Sequence, residues 1–84
     1  MNKKYLCPVC GFKGLKEPPF AANNAPSHEI CACCGFEFGF DDTNSAGGFN
    51  VFRIHWIENE AQWFMPNLKP ANWDLQKQLK NLNQ

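Results

Sequence analysis

CPVCGF at residues 7–12 and CACCGF at residues 31–36 are two copies of one motif, C-x-x-C-G-F, in a chain of 84 residues. Two cysteines three positions apart, followed by glycine, are typical of a tight turn that directs both sulfur atoms to one side. Glycine suits the end of such a turn because it adopts a positive φ without the steric cost of a Cβ atom. Each copy is therefore predicted to form a metal-binding turn, and we call them the first knuckle (residues 7–12) and the second knuckle (residues 31–36).

The two knuckles together offer four sulfur ligands to one ion. Residues 11–30 separate the two cysteine pairs, and this length agrees with the C-x2-C-x15-20-C-x2-C spacing of zinc sites. A shell of four thiolates has no open position for water or substrate, so we expect it to stabilise the fold rather than to catalyse a reaction. The predicted ligands of Zn²⁺ are Cys7, Cys10, Cys31 and Cys34.

Two further residues, one inside the second knuckle and one just before it, are candidates for a role at the metal. Cys33 stands between the paired cysteines of the second knuckle, where a side chain usually points away from the ion, and we predict that it is not a ligand. An alternative ligand and a redox-sensitive thiol are the other interpretations of Cys33. His28 precedes Cys31 by three residues and is an alternative ligand in a site of three cysteines and one histidine.

The length of the chain makes such a site important for folding. We predict a single domain over residues 1–84, and an apolar core of this size is marginal without a disulfide, metal or other staple. Five cysteines is an odd number, and no apolar signal segment precedes Cys7. No stretch is apolar enough to span a membrane. We therefore expect a cytoplasmic protein whose reduced thiols bind metal rather than forming disulfides.

The formal net charge is zero, but the charges are unevenly distributed. Residues 1–27 carry +3, residues 28–60 carry −5 and residues 61–84 carry +2. Four thiolates around a divalent ion would add negative charge beside the acidic second knuckle. Nucleic-acid binding is therefore unfavourable, although four lysines near the first knuckle could touch phosphates in a salt-sensitive manner. These are Lys3, Lys4, Lys13 and Lys16.

Residues 1–42 are predicted to form a zinc ribbon, in which two short strands surround each knuckle. The predicted strands are residues 4–6 and 12–15 around the first knuckle, and residues 28–30 and 36–40 around the second. The intervening segment, residues 16–27, contains three prolines and is predicted to be a connecting loop.

Three phenylalanines leave the second knuckle with a period of two. Phe36, Phe38 and Phe40 alternate with Glu37 and Gly39, which predicts three rings on one face of a strand. We expect these rings to form the floor of the hydrophobic core.

The remainder of the chain is predicted to contain two helices. Residues 49–64 place aromatic side chains at helical spacing, with Asn50 as N-cap and Met65-Pro66 as the end. His55 is expected to be a hydrogen-bonded packing residue on this aromatic helix. Residues 72–82 are the predicted C-terminal helix, with Asn72 as N-cap. The fold class is therefore a small metal-stabilised α+β domain, a zinc ribbon followed by two helices.

The first half of the chain resembles the bacterial cysteine-rich CPCC family of small proteins. The resemblance covers residues 5–42 and includes residues other than cysteine. It departs from the family pattern at Val9, because the family has adjacent cysteines in the first motif and here the adjacent pair is Cys33-Cys34. The resemblance implies a zinc-ribbon-like domain and no catalytic residues. The matching positions are Cys7-Pro8-Val9-Cys10-Gly11, Leu15, Glu17-Pro18, Glu29-Ile30-Cys31, Cys34, Glu37 and Asp41-Asp42.

Three functional hypotheses follow from these patterns. The leading one is a non-enzymatic zinc-ribbon module that binds a protein partner or itself, and an immunity-like or antitoxin-like protein is one specific form of it. The second is electron transfer, because the knuckles are similar to those of rubredoxin, where four cysteines bind iron. The third is a nucleic-acid-binding zinc ribbon. No small-molecule substrate and no catalytic set of residues is indicated.

Overall fold

The computed structural model describes residues 4–44 and 48–83. Its α-helices are α1 (Asp41–Asn44), α2 (Gly48–Glu58) and α3 (Leu75–Leu79), and two 3-10 helices span Pro66–Leu68 and Lys80–Asn83. The radius of gyration of 12.4 Å is close to the roughly 12 Å expected for a compact domain of this length. Within the described residues no helix is long and apolar enough to cross a membrane.

The strands predicted around the knuckles are reduced to single antiparallel bridges, and no β-strand occurs in the described parts of the chain. Tyr5 pairs with Leu15 on either side of the first knuckle, and Ile30 pairs with Glu37 on either side of the second. On the knuckle side of each bridge the neighbouring backbone groups form the hydrogen bonds of the turn, between Cys7 and Phe12 in the first knuckle and between Cys31 and Phe36 in the second. The predicted loop over residues 16–27 contains neither helix nor strand, although Phe20 bridges to Pro26.

The predicted strand over residues 36–40 is interrupted by side chains from α1. The carboxylate of Asp41 accepts a hydrogen bond from the backbone N–H of Glu37 at 2.8 Å, and that of Asp42 accepts one from Gly39 at 2.5 Å. These bonds turn the chain after Phe38 and lead it into α1, which begins at Asp41. The prediction of three rings on one face is consequently wrong for Phe40, which is 56% exposed.

The core instead combines two of these rings with α2. Phe36 and Phe38 are fully buried, and the Phe36 ring packs edge-on against Phe49 at 5.3 Å and Phe52 at 4.9 Å between ring centroids. Phe49 and Phe52 lie one turn apart on α2, so the aromatic face of this helix packs over the second knuckle, as the helical spacing predicted.

The aromatic helix is shorter than predicted and ends at Glu58 rather than at Met65-Pro66. Glu60 and Ala61 have φ angles of 71° and 48°, which reverse the chain immediately after the helix. The indole N–H of Trp56 donates to the carbonyl oxygen of Gln62 at 2.9 Å and fixes this reversal. The helix also begins at Gly48, so Asn50 is not its N-cap, and the Asn50 side chain accepts a bond from Arg53 instead.

The C-terminal helix is also shorter than predicted. Asp74, not Asn72, is the N-cap of α3, because its carboxylate accepts a hydrogen bond from the backbone N–H of Lys77 at 3.1 Å. A 3-10 helix over Lys80–Asn83 continues the chain after α3. Trp73, just before the cap, packs edge-on against Trp63 at 5.6 Å and joins this end of the chain to the core.

Candidate metal centre

The two knuckles have the same backbone hydrogen bonds. In the first, the N–H of Cys7 donates to Phe12 at 2.7 Å and the N–H of Gly11 donates back to Cys7 at 2.9 Å. In the second, the N–H of Cys31 donates to Phe36 at 3.0 Å and that of Gly35 to Cys31 at 2.9 Å. The repeated sequence motif therefore produces a repeated local structure.

Glycine is required at the end of each turn. Gly11 and Gly35 have φ angles of 85° and 81°, in the left-handed region that a Cβ atom disfavours. A Cβ atom on Gly11 would also lie 2.3 Å from the carbonyl oxygen of Gln78, so the first knuckle is in close contact with α3. The motif predicted the first of these requirements, and the second depends on the tertiary fold.

The knuckles bring four sulfur atoms together. The ligand atoms of Cys7, Cys10, Cys31 and Cys34 all lie within 4.8 Å of one another. Two sulfur–sulfur contacts connect the knuckles, from Sγ of Cys7 to Sγ of Cys34 at 3.9 Å and from Sγ of Cys10 to Sγ of Cys31 at 3.7 Å. Cys34 is 8% exposed and the other three are fully buried, so the cluster is closed to solvent.

These sulfur separations fit a tetrahedral metal site. A zinc–sulfur bond of about 2.3 Å gives a tetrahedron whose edges are about 3.8 Å. The two cross-knuckle distances are close to that edge, and they are far longer than the roughly 2.0 Å of a disulfide bond. The four cysteines are therefore positioned to hold a metal ion.

The four thiols lie close enough together that each affects the ionisation of the others. Hydrogen bonds with Cys10, then with Cys31 and Cys7, together with burial, raise the pKa of Cys34 far above its ordinary value. Hydrogen bonds that stabilise its thiolate, the largest from Cys10, lower the pKa of Cys31. Four thiolates this close together need a cation to balance their charge, and a bound metal ion supplies it.

The carbonyl groups on the outside of each knuckle receive hydrogen bonds from the second half of the chain. Arg53, on α2, donates through Nε to the carbonyl oxygen of Val9 and through Nη2 to that of Pro8 at 2.9 Å. At the corresponding positions of the second knuckle, the backbone N–H groups of residues 64 and 65 donate to Cys33 at 3.0 Å and Ala32 at 2.9 Å. Helix α2 and the segment after it thus fix the two turns in place.

Helix α3 and the 3-10 helix after it supply further bonds to the first knuckle. The side-chain amide of Gln78 donates to the carbonyl oxygen of Cys10 at 3.1 Å, and that of Asn81 donates to Gly11 at 2.8 Å. The sequence patterns did not identify Arg53, Gln78 or Asn81 as residues of the site. Arg53 did carry one signal, because it is the only lysine or arginine in the acidic segment 28–60.

The remaining candidates are not among the four clustered cysteines. Cys33 is fully buried, and its sulfur receives a hydrogen bond from Nε2 of Gln78 at 3.2 Å. His28 is exposed and lies against Gly39. The prediction that His55 is a packing residue is wrong, because its side chain is 70% exposed and lies 3.9 Å from the carboxylate of Glu58.

The fold and the cluster define a small cysteine-rich protein with four buried thiols arranged for one metal ion. It belongs to a family that includes two proteins of Bacillus subtilis strain 168, YoaQ and YozI, both named as uncharacterised. The chain is 35% identical to YoaQ over 91 aligned positions, which cover 99% of the chain and 77% of YoaQ. It is 34% identical to YozI over 92 positions, which cover 96% of the chain and 74% of YozI. No family model and no solved structure matches the chain.

Proposed function

We propose that this protein is a non-enzymatic zinc-ribbon module whose fold is held by Zn²⁺ on Cys7, Cys10, Cys31 and Cys34, and that it binds another protein. The observation that carries the proposal is the closed cluster of four sulfur atoms, all within 4.8 Å of one another. In small zinc-binding peptides a structural Zn²⁺ contributes about 10 to 16 kcal/mol at neutral pH, which exceeds the stability of most small domains.

The arrangement of the backbone supports the zinc-ribbon part of this proposal. Each knuckle lies between two segments that meet in an antiparallel bridge, Tyr5 with Leu15 and Ile30 with Glu37. These are minimal hairpins, and each directs its pair of cysteines towards the other. The matching hydrogen bonds of the two knuckles give the pseudo-symmetric arrangement expected of a ribbon site.

A structural role for the metal is supported by its surroundings. The cluster is almost fully buried, and four protein ligands fill a tetrahedral shell. The ion would link residues on both sides of a 20-residue loop, which the two short bridges alone would hold weakly. We therefore assign the metal to folding rather than to chemistry.

Protein binding is supported by the apolar surface. Exposed apolar side chains that lie together mark interaction sites more often than scattered ones do, and Ile30, Met65 and Leu68 line one groove. Eight large apolar side chains are at least about one-third exposed, namely Leu6, Ile30, Phe40, Ile54, Ile57, Phe64, Met65 and Leu68.

Elemental analysis of protein purified without added metal tests the metal assignment. We expect about one zinc per chain in colourless protein. Iron with thiolate-to-iron absorption and a reversible redox couple would instead favour the rubredoxin-like alternative, which the same four ligands can support. Protein that contains neither metal would contradict both.

Affinity capture and sedimentation test the second half of the proposal. Zinc-loaded protein should retain a defined partner from a lysate of its own organism, or should self-associate as its concentration rises. If the protein neither retains a partner nor self-associates across the working concentration range, protein binding is contradicted. A sequence-selective, salt-resistant complex in a mobility-shift assay would favour the nucleic-acid alternative.

A further inference from the structure

A groove of about 580 Å³ lies beside the first knuckle, and no residue of α2 lines it. Its volume falls in the range of about 300 to 1,000 Å³ that is usual for binding sites. Three parts of the chain meet there, the segments flanking the knuckles and the 3-10 helix Pro66–Leu68. The backbone N–H of Met65, bonded to Ala32 at 2.9 Å, holds the 3-10 helix against the second knuckle.

The wall of this groove is apolar and open to solvent. Ile30 is 36% exposed, Met65 is 39% exposed and Leu68 is 53% exposed. A pocket that encloses a small molecule usually buries most of that molecule, whereas these wall residues remain open along one side. The shape therefore suits a polypeptide segment that lies in the groove with one face still in water.

The rim of the groove favours negative charge. Lys4 and Lys16 line it and are exposed, and in the described part of the chain neither forms an ion pair. The one carboxylate in the lining belongs to Glu29, which accepts hydrogen bonds from the backbone N–H of Lys16 at 3.0 and 3.2 Å and of Glu17 at 3.1 Å. These donors offset its charge, and the two ammonium groups are left to attract an anion.

We propose that this groove binds a short acidic segment of a partner protein, in which apolar side chains stand next to Asp or Glu. The apolar side chains contact Ile30, Met65 and Leu68, and the carboxylates approach Lys4 and Lys16. This inference rests on the proposed protein-binding function and adds the location of the surface and the chemistry of the partner.

Selection from a random peptide library displayed on phage tests the proposal. The bait is the zinc-loaded full chain, and the double variant Lys4→Glu, Lys16→Glu is the counter-selection. We expect enriched peptides to combine acidic and large apolar residues. A fluorescent copy of one of them should bind about tenfold more weakly to the double variant, because two exposed charge pairs of about 0.7 kcal/mol each are lost.

Matched variants separate the groove from general effects of charge and hydrophobicity. Lys77→Glu with Lys80→Glu makes the same change of charge on exposed residues outside the groove, and should leave affinity within twofold. Leu68→Ser should weaken binding severalfold, whereas Ile54→Ser, at a side chain with the same 53% exposure on α2, should not. Zinc content equal to that of the wild type checks that each variant is folded.

Several results would overturn the assignment of this groove to an acidic partner segment. No enrichment, enrichment of basic peptides, or equal weakening by both double variants would overturn the proposal. A dimer that Lys4→Glu, Lys16→Glu dissociates, without any peptide binding, would assign the groove to a second copy of this chain and overturn the partner-peptide assignment. A partner captured equally well by both double variants would preserve the proposed function while rejecting this groove as its site.

Discussion

The guanidinium group of Arg53 donates a hydrogen bond to the carbonyl oxygen of Pro8 over 2.9 Å, from the middle of α2 to the turn that carries Cys7 and Cys10. A second bond from the same group reaches Val9. The geometry of the first knuckle therefore depends on a residue more than 40 positions away in sequence, and four cysteines alone do not account for it.

Replacing Arg53 should loosen the first knuckle. Arg53→Ala removes two charge-assisted bonds and leaves two partly buried carbonyl groups without their donor, so we expect a loss of about 2 to 3 kcal/mol in the free energy of unfolding. Arg53→Lys should recover only part of it, because an ammonium lacks the planar fork of the guanidinium. Denaturant unfolding of zinc-loaded protein gives the measurement.

Glu58→Ala, at an exposed position near the end of the same helix, is the control and should change stability by less than about 0.5 kcal/mol. The rate of zinc transfer to a chelator provides a second measurement. It should rise for Arg53→Ala and stay unchanged for Glu58→Ala. Unaltered stability and transfer rate in Arg53→Ala would show that the knuckle does not need this contact.

Three glycines with similar backbone angles should respond differently to alanine. Gly48, at φ 66°, has open space around an added Cβ atom, so Gly48→Ala reports the strain of the angle alone, about 1 to 2 kcal/mol. At Gly35 the nearest atom is Cδ1 of Phe64 at 3.2 Å, on an exposed ring that can move. At Gly11 it is a backbone oxygen of α3 at 2.3 Å, which cannot move without displacing the helix.

The destabilisation measured by thermal or denaturant unfolding should therefore increase from Gly48→Ala to Gly35→Ala to Gly11→Ala. Gly11→Ala should also release α3, visible as faster hydrogen exchange of its amides. Equal losses at all three positions would mean that only the φ angle matters and that the packing of α3 against the first knuckle contributes nothing.

Two phenylalanines from the same run should differ sharply in their effect on stability. Phe36 is fully buried and packs against the rings of Phe49 and Phe52, so Phe36→Ala should cost about 3 to 5 kcal/mol and unfold a large fraction of the protein. Phe40 is 56% exposed, and Phe40→Ala should cost less than about 1 kcal/mol. Near-ultraviolet circular dichroism measures the loss of folded protein in each variant. Similar losses in Phe36→Ala and Phe40→Ala would instead support the three-ring face that the alternating pattern predicts.

The contrast between these two residues shows what could be predicted from the sequence. The repeated C-x-x-C-G-F motif encodes its own turn locally, and the sequence was sufficient to predict that Cys7, Cys10, Cys31 and Cys34 would meet. The strand after Phe36 was overestimated because two aspartate side chains compete for its backbone N–H groups. That competition depends on side-chain geometry, which cannot be predicted from the alternation of apolar and polar residues.

Two other differences arise from tertiary structure. Helix α2 stops at Glu58 although helical spacing continues to residue 64, because the Trp56 indole bonds to Gln62 and stabilises a reversal through non-glycine residues with positive φ. No proline or glycine marks that end. The role of Arg53 was equally hidden, since its partners are carbonyl oxygens in a distant turn.

Cys33 is expected to be dispensable for metal binding. Its sulfur lies outside the group of four and bonds to Gln78 at 3.2 Å, so Cys33→Ala should keep one metal ion per chain. The loss of a buried sulfur and its hydrogen bond should lower the free energy of unfolding by about 1 to 2 kcal/mol. Cys34→Ala is the matched control, and it should lose both the metal ion and the folded structure. A metal content below that of the wild type in Cys33→Ala would make Cys33 a ligand.

X-ray absorption at the metal edge of the as-purified protein tests the central claim most directly, because it identifies both the ion and the atoms bound to it. The account predicts a zinc edge and a first shell of four sulfur atoms at about 2.3 Å, with no nitrogen or oxygen ligand. A shell containing nitrogen or oxygen, or a folded protein with four free thiols and no metal, would contradict it.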